Sequence, residues 1–188
     1  MENPNEMNLF MVIIGGKPDD RVTEQHDVFF GIGKELKDLV PDMYSFWPAL
    51  EGRMHIDSWR KVNTVSQFKI EITRRDTNLP EQIDKLFFVN LGGYKPNDME
   101  EYHYKELVVA KNLADATRVA KESIFWKHHE SSHIDDKYGI DVDDVYEVAD
   151  LLSPKLKAEY QIQIGVDNSL KMDRLEVGYL KISKLLSS

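Results

Sequence analysis

Leu9-Phe10-Met11-Val12-Ile13-Ile14-Gly15-Gly16 is an apolar run closed by two glycines, and it recurs as Leu86-Phe87-Phe88-Val89-Asn90-Leu91-Gly92-Gly93. The correspondence continues without a gap. Glu24 and His26 meet Glu101 and His103, and Lys34, Leu36 and Asp38 meet Lys111, Leu113 and Asp115. Phe46-Trp47 then returns as Phe125-Trp126, and His55-Ile56-Asp57 as His133-Ile134-Asp135, with small changes of length falling in loops. Matches kept in order over such a distance point to an internal duplication, and a repeat of this size decides the fold before any local propensity does.

Each copy begins as a strand. A short apolar run bounded by glycines suits a strand buried on both faces. Turn residues follow, Lys17-Pro18-Asp19-Asp20 in one copy and Lys95-Pro96-Asn97-Asp98 in the other. A helix is expected next. In the first copy Thr23 can cap it, Phe29, Ile32, Leu36, Leu39 and Val40 form one stripe, and Pro41 stops it. In the second, Tyr104, Leu107, Val108, Lys111 and Ala114 keep helical spacing, prolonged by the Ala-rich stretch to Ala120. Phe68–Thr73 and Tyr160–Gly165 alternate apolar and polar residues, as half-exposed strands do. The acidic stretch 139–152 has no counterpart in the first copy and reads as an extra strand or short helix.

The expected fold is therefore α/β with a mixed sheet. Two tandem β-α-β-type repeats, related by pseudo-two-fold symmetry, form one globule with right-handed crossovers. The first repeat lobe spans 7–75 and the second 86–168, joined by a linker over 74–85, and 169–188 adds a C-terminal strand or helix packed on them.

Composition narrows the function. In 188 residues, 24 Lys and Arg stand against 33 Asp and Glu, a formal net charge of −9. That sign repels phosphate backbones, so nucleic acid is an unsuitable partner. The absence of cysteine excludes disulfides, thiol catalysis and cysteine-ligated metals. The start of the chain lacks the basic and apolar regions of a signal peptide, and no apolar run has the length of a membrane span. The expected setting is the cytoplasm, with no membrane partner; a homodimer is compatible with the chain.

The polar residues shared by the two copies are the candidate ligand-binding set: Gly15, Gly16, Glu24, His26, His55 and Asp57, with Gly92, Gly93, Glu101, His103, His133 and Asp135. If His26 and His103 open helices, they sit where free N–H groups and the helix dipole attract anions. If His55-Ile56-Asp57 opens a strand, His55 and Asp57 share a face and can act as base and orienter or as metal ligands. If it precedes a helical turn, Asp57 and Asp135 are caps instead. His129-Glu130-Ser131-Ser132-His133 spells HExxH, which makes His129 and His133 candidate zinc ligands only if both lie on one helix. Asp141, Asp143 and Asp144 lack the glycine and terminal glutamate of a calcium loop and read as acidic surface.

The motifs LFMVIIGG, EQHDVFFGIGKEL, FWP and HIDSW of the first copy, with LFFVNLGG, EYH, FW and HID of the second, resemble the uncharacterised bacterial family DUF1543. The resemblance covers most of Leu9–Lys69 and, more weakly, Leu86–Asp135. It implies a bacterial protein carrying one or two copies of a module, and it implies no activity or cofactor. Tyr102 in place of Gln25, Lys127 in place of Pro48 and the acidic insertion are departures in the second copy. The expected function is binding of a small anionic ligand in a His/Glu/Asp niche of each repeat. A hydrolase using His and acidic residues, with or without a metal, is one alternative, and an acidic protein-interaction module is another.

Overall fold

A run such as Leu9–Gly16 must satisfy its backbone groups on both sides, and it does so as a central strand. The computed structural model describes residues 7–78, 80–94, 97–128, 141–167 and 171–187, without the side chains of 124–128 and 141. In chain order the elements are β1 (Asn8–Gly16), β2 (Gln25–Gly33), a 3-10 turn (Leu36–Leu39), α1 (Val40–Phe46), a second 3-10 turn (Pro48–Leu50), β3 (His55–Lys61), β4 (Thr64–Val65) and β5 (Phe68–Arg74). There follow β6 (Lys85–Tyr94), β7 (Glu101–Ala110), α2 (Leu113–His128), β8 (Asp141–Glu147) and α3 (Val148–Leu151). The chain closes with α4 (Pro154–Glu159), β9 (Tyr160–Val166), β10 (Glu176–Lys181) and α5 (Ile182–Leu186).

The chain divides into two units. Unit 1 joins residues 7–78 to residues 151–187, and unit 2 holds the described residues of 79–150. Unit 1 has a four-stranded sheet of order β10-β3-β1-β2 and a three-stranded sheet of order β4-β5-β9; unit 2 has a three-stranded sheet of order β7-β6-β8. Among the described residues every ladder is antiparallel. The expected mixed sheet with parallel crossovers is thus corrected to three antiparallel sheets with a few helices.

The helices expected straight after the glycine loops are strands. β1 turns back into β2 and β6 into β7, each pair in register from end to end. Two periods were superimposed in the sequence: Phe29, Ile32 and Leu36 match a helical stripe, but Val28-Phe29-Phe30 is a β-branched and aromatic run of the kind strands favour. In the second copy the polar and apolar alternation of Glu101–Glu106 is the period of a strand with one exposed face, and only Leu113 onwards is helical. Pro41 does not stop a helix. It lies in the first turn of α1, where its missing N–H costs nothing.

Phe68–Arg74 and Tyr160–Val166 form β5 and β9 and pair with each other. Tyr160–Val166, read from the sequence as the end of the second repeat, is therefore part of unit 1. The acidic stretch supplies both a strand, β8, and a turn of helix, α3, and the tail supplies both β10 and α5.

Alternation along β1 sorts its residues onto two faces. Phe10, Val12 and Ile14 pack with Leu36, Leu39, Val40, Met43 and Leu50 in the core of unit 1. In unit 2 Phe87, Val89 and Leu91 pack with Ala116 and Ala120 of α2. The opposite face of each central strand ends in Gly15 or Gly92, and there the candidate residues gather. Among the described residues no helix is long and apolar enough to cross a membrane.

Candidate functional site

Register places the imidazoles. Gly15 on β1 is the cross-strand partner of His26 on β2 and of His55 on β3, so the two histidines flank one residue that has no side chain. Glu24 lies two residues before His26 and shares its face. Asp57 is carried by an irregularity: β3 pairs Ile56 with Ile14 and Ser58 with Ile13, which leaves Asp57 as an extra residue in a bulge. A bulge redirects the side chain it carries, a device that recurs beside functional sites.

These four groups meet. His55 Nε2 lies 3.4 Å from Glu24 Oε1 and 3.4 Å from Asp57 Oδ1. His26 Nε2 lies 3.2 Å from Asp57 Oδ2 and 3.9 Å from Glu24 Oε2. The two imidazole rings are 6.2 Å apart, nearly perpendicular. One ligand atom each from Glu24, His26 and His55 falls within 4.8 Å of the others. A tetrahedral ion with bonds of about 2.1 Å separates its ligands by roughly 3.4 Å, close to these spacings.

The niche is also incompletely satisfied. His55 is 2% exposed, yet its Nε2 has no hydrogen-bond partner; Asp57 Oδ2 is buried and equally without one. The neighbouring carboxylates are near enough for electrostatic attraction without a hydrogen bond to Nε2. An orphaned buried polar atom costs about 1–3 kcal/mol. Gly15 makes the crowding possible. A Cβ there would stand 2.7 Å from His26 Cδ2, 2.7 Å from His55 Nε2 and 2.9 Å from Asp57 Oδ2.

Tyr179 of β10 closes one side. Its ring lies over the His55 imidazole with centroids 4.3 Å apart and planes tilted by 32°. It occupies a second irregularity, between the pairs Val177–Ser58 and Leu180–Ile56. On the His26 side an open cleft of about 420 Å3 is lined by Arg21, Gln25, Asp27 and Trp47 among others.

Unit 2 repeats the register with one change. Gly92 on β6 pairs with His103 on β7 and with Asp141 on β8, and Asp143 sits in a bulge between the pairs Leu91–Val142 and Asn90–Asp144. His103 Nε2 is 3.3 Å from Asp143 Oδ2 and 3.9 Å from Glu101 Oε2. The Tyr94 phenol is held above its ordinary range chiefly by its hydrogen bond to Glu101, and next by the charge of that carboxylate.

Several expectations change accordingly. His26 and His103 stand in strands, so neither occupies the first turn of a helix where a dipole would draw an anion. The alternative in which His55-Ile56-Asp57 opens a strand is the one observed. Gly16 faces the core, where a Cβ would meet Leu50, and Gly93 follows Gly92 on the opposite face of β6. His129, His133 and Asp135 lie outside the described residues. In unit 2 the register position of His55 is held by Asp141 and that of Asp57 by Asp143. Sequence reasoning missed Asp143, Tyr94 and Tyr179. The signal for Asp143 was the pattern Asp141-Val142-Asp143, which keeps the polar-apolar-Asp order of His55-Ile56-Asp57.

Residues 21–72, which contain Glu24, His26, His55 and Asp57, match the family described as Domain of Unknown Function (DUF1543). No curated protein matches the sequence. Among solved structures, that of a protein Il1583 from Idiomarina loihiensis is similar, with a TM-score of 0.61 and 20% sequence identity over 93% of this chain and 97% of that one. At that identity the likeness is one of fold.

Proposed function

We propose that unit 1 is a divalent transition-metal centre of the zinc type, with Glu24, His26, His55 and Asp57 as ligands. The observation that carries this reading is the buried, unpartnered Nε2 of His55, set equally close to two carboxylates. Two imidazoles and two carboxylates form a borderline donor set suited to zinc and its neighbours. Direct binding of a small anion is disfavoured, because two carboxylates face the niche. A bound ion changes that balance. By expanding to a fifth coordination position the ion would, as a Lewis acid, activate a water, which is the chemistry of a metal-dependent hydrolase.

The shared register of Gly15 and Gly92 supports reading the two units as products of one duplication, each keeping its own polar niche. A cytoplasmic setting accords with the lack of cysteine.

Metal analysis of the purified full chain tests the reading. Expected is one equivalent of zinc in unit 1, replaceable by cobalt with the visible bands of a tetrahedral site. Gly15→Ala, whose added methyl must displace both imidazoles, is expected to abolish those bands while the far-UV spectrum stays that of wild type. Cobalt bands unchanged in Gly15→Ala, or no bound metal in wild type, would refute it.

Tyr179 gives a second expectation. Tyr179→Ala frees the ring of His55 and is expected to weaken zinc binding by about tenfold, the scale of lost support around a ligand. Tyr179→Phe keeps the stacked ring and should bind as wild type does. Competition with a chromogenic chelator measures both; equal affinity in the two variants would show that the stack contributes nothing.

A further inference from the structure

The Glu101–His103–Asp143 group differs from the unit 1 niche in a way that has chemical meaning. Its distances are nearly the same, and its three ligand atoms lie within 4.8 Å of one another. Gly92 forms its floor as Gly15 does in unit 1: a Cβ there would stand 2.5 Å from Asp143 Oδ2 and 2.7 Å from Glu101 Oε1. Three strands, a side-chain-free floor and a bulged aspartate are thus kept together, whereas a merely solvated acidic surface needs none of them.

The second imidazole is gone. Asp141 holds the register position of His55, so the described ligands are one nitrogen and two carboxylates. His103, Glu101 and Asp143 are each about one-third exposed, where His55 is buried. Fewer nitrogen ligands and open access to water suit an oxygen-preferring cation that keeps part of its hydration shell.

We infer that unit 2 carries a second cation site, formed by Glu101, His103 and Asp143, that binds a hydrated, oxygen-preferring divalent ion of the manganese class. Zinc, higher in the affinity series, outcompetes manganese at most nitrogen and oxygen sites. The two sites therefore differ in how strongly they discriminate: unit 1 favours zinc steeply, and unit 2 favours it much less. The register argument is borrowed from unit 1, but the site does not require zinc to bind there.

Manganese itself is the probe. Full-length protein given one equivalent of zinc is titrated with Mn2+, and free manganese is followed by electron paramagnetic resonance. One manganese site is expected. It should weaken by about tenfold or more in Asp143→Asn and in Glu101→Gln, since losing a ligand costs at least what losing its support does. Both variants preserve side-chain shape at partly exposed positions, and circular dichroism confirms the fold. The same titration without zinc in His26→Ala/His55→Ala removes both unit 1 imidazoles and should retain the unit 2 site. That arm reads unit 2 even if unit 1 binds no metal. Absence of manganese binding in both proteins, or binding unchanged by Asp143→Asn and Glu101→Gln, overturns the inference.

Discussion

His55→Ala is expected to lower the zinc affinity of unit 1 by two to three orders of magnitude. A structural zinc site of four ligands is worth about 10–16 kcal/mol, or about 2.5–4 kcal/mol per ligand if shared evenly. At about 1.4 kcal/mol per decade, that share is roughly a hundred- to a thousandfold. Isothermal titration or chelator competition measures it. Thermal unfolding provides a separate readout. Zinc at about a thousand times its dissociation constant stabilises by about 4 kcal/mol, which raises Tm by roughly 10 °C in a domain of this size. His55→Ala should lose that increment. Without metal, the substitution removes an orphaned polar atom but opens a cavity, opposing effects of about 1–3 kcal/mol each. The metal-free Tm should therefore move little. A large fall in the metal-free Tm would instead mark His55 as a packing residue.

The second large effect concerns the core. Phe10 is 2% exposed on the face of β1 that meets the 3-10 turn and α1, among Leu36, Leu39, Val40 and Met43. Phe10→Ala is expected to cost about 3–5 kcal/mol, combining lost transfer energy with the cavity left behind. Against a typical total of 5–15 kcal/mol, that is a large fraction of the stability. Urea unfolding should show a lower midpoint with little change in slope. Val22→Ala is the control: Val22 is 90% exposed, and its loss should stay within about 0.5 kcal/mol. Equal losses in the two variants would contradict the assignment of this face as core.

The legible parts of the fold were those in which one period stood alone. Leu9–Ile14 and Leu86–Leu91 are continuous apolar runs closed by glycine, and Phe68–Thr73 and Tyr160–Gly165 alternate without interruption. Val28–Gly33 was not legible as a strand. Its residues are apolar at nearly every step, and such a run satisfies both a helical stripe and a buried strand. The polar partners of the niche were half legible. Glu24 and His26 stood out because Glu101 and His103 echoed them, and His55 and Asp57 because His133 and Asp135 did. Asp143 did not, since the HID triplet at 133–135 drew the comparison instead and since a bulge leaves no mark in residue type. Tyr179 is far from His55 in the chain, and only pairing of β10 with β3 brings the rings together.

Unit 1 is interrupted in the chain by unit 2, and this sets an order during synthesis. Unit 2 is contiguous and can close as soon as its last strand has left the ribosome, as domains generally fold while translation proceeds. Unit 1 must wait with β3 and β5 each lacking a neighbour until residues 151–187 emerge with β9 and β10. The ring that covers His55 arrives on the last of these. A nascent chain stalled before Tyr179 would hold the four unit 1 ligands beside an open sheet edge, so chaperone dependence should concentrate in that interval.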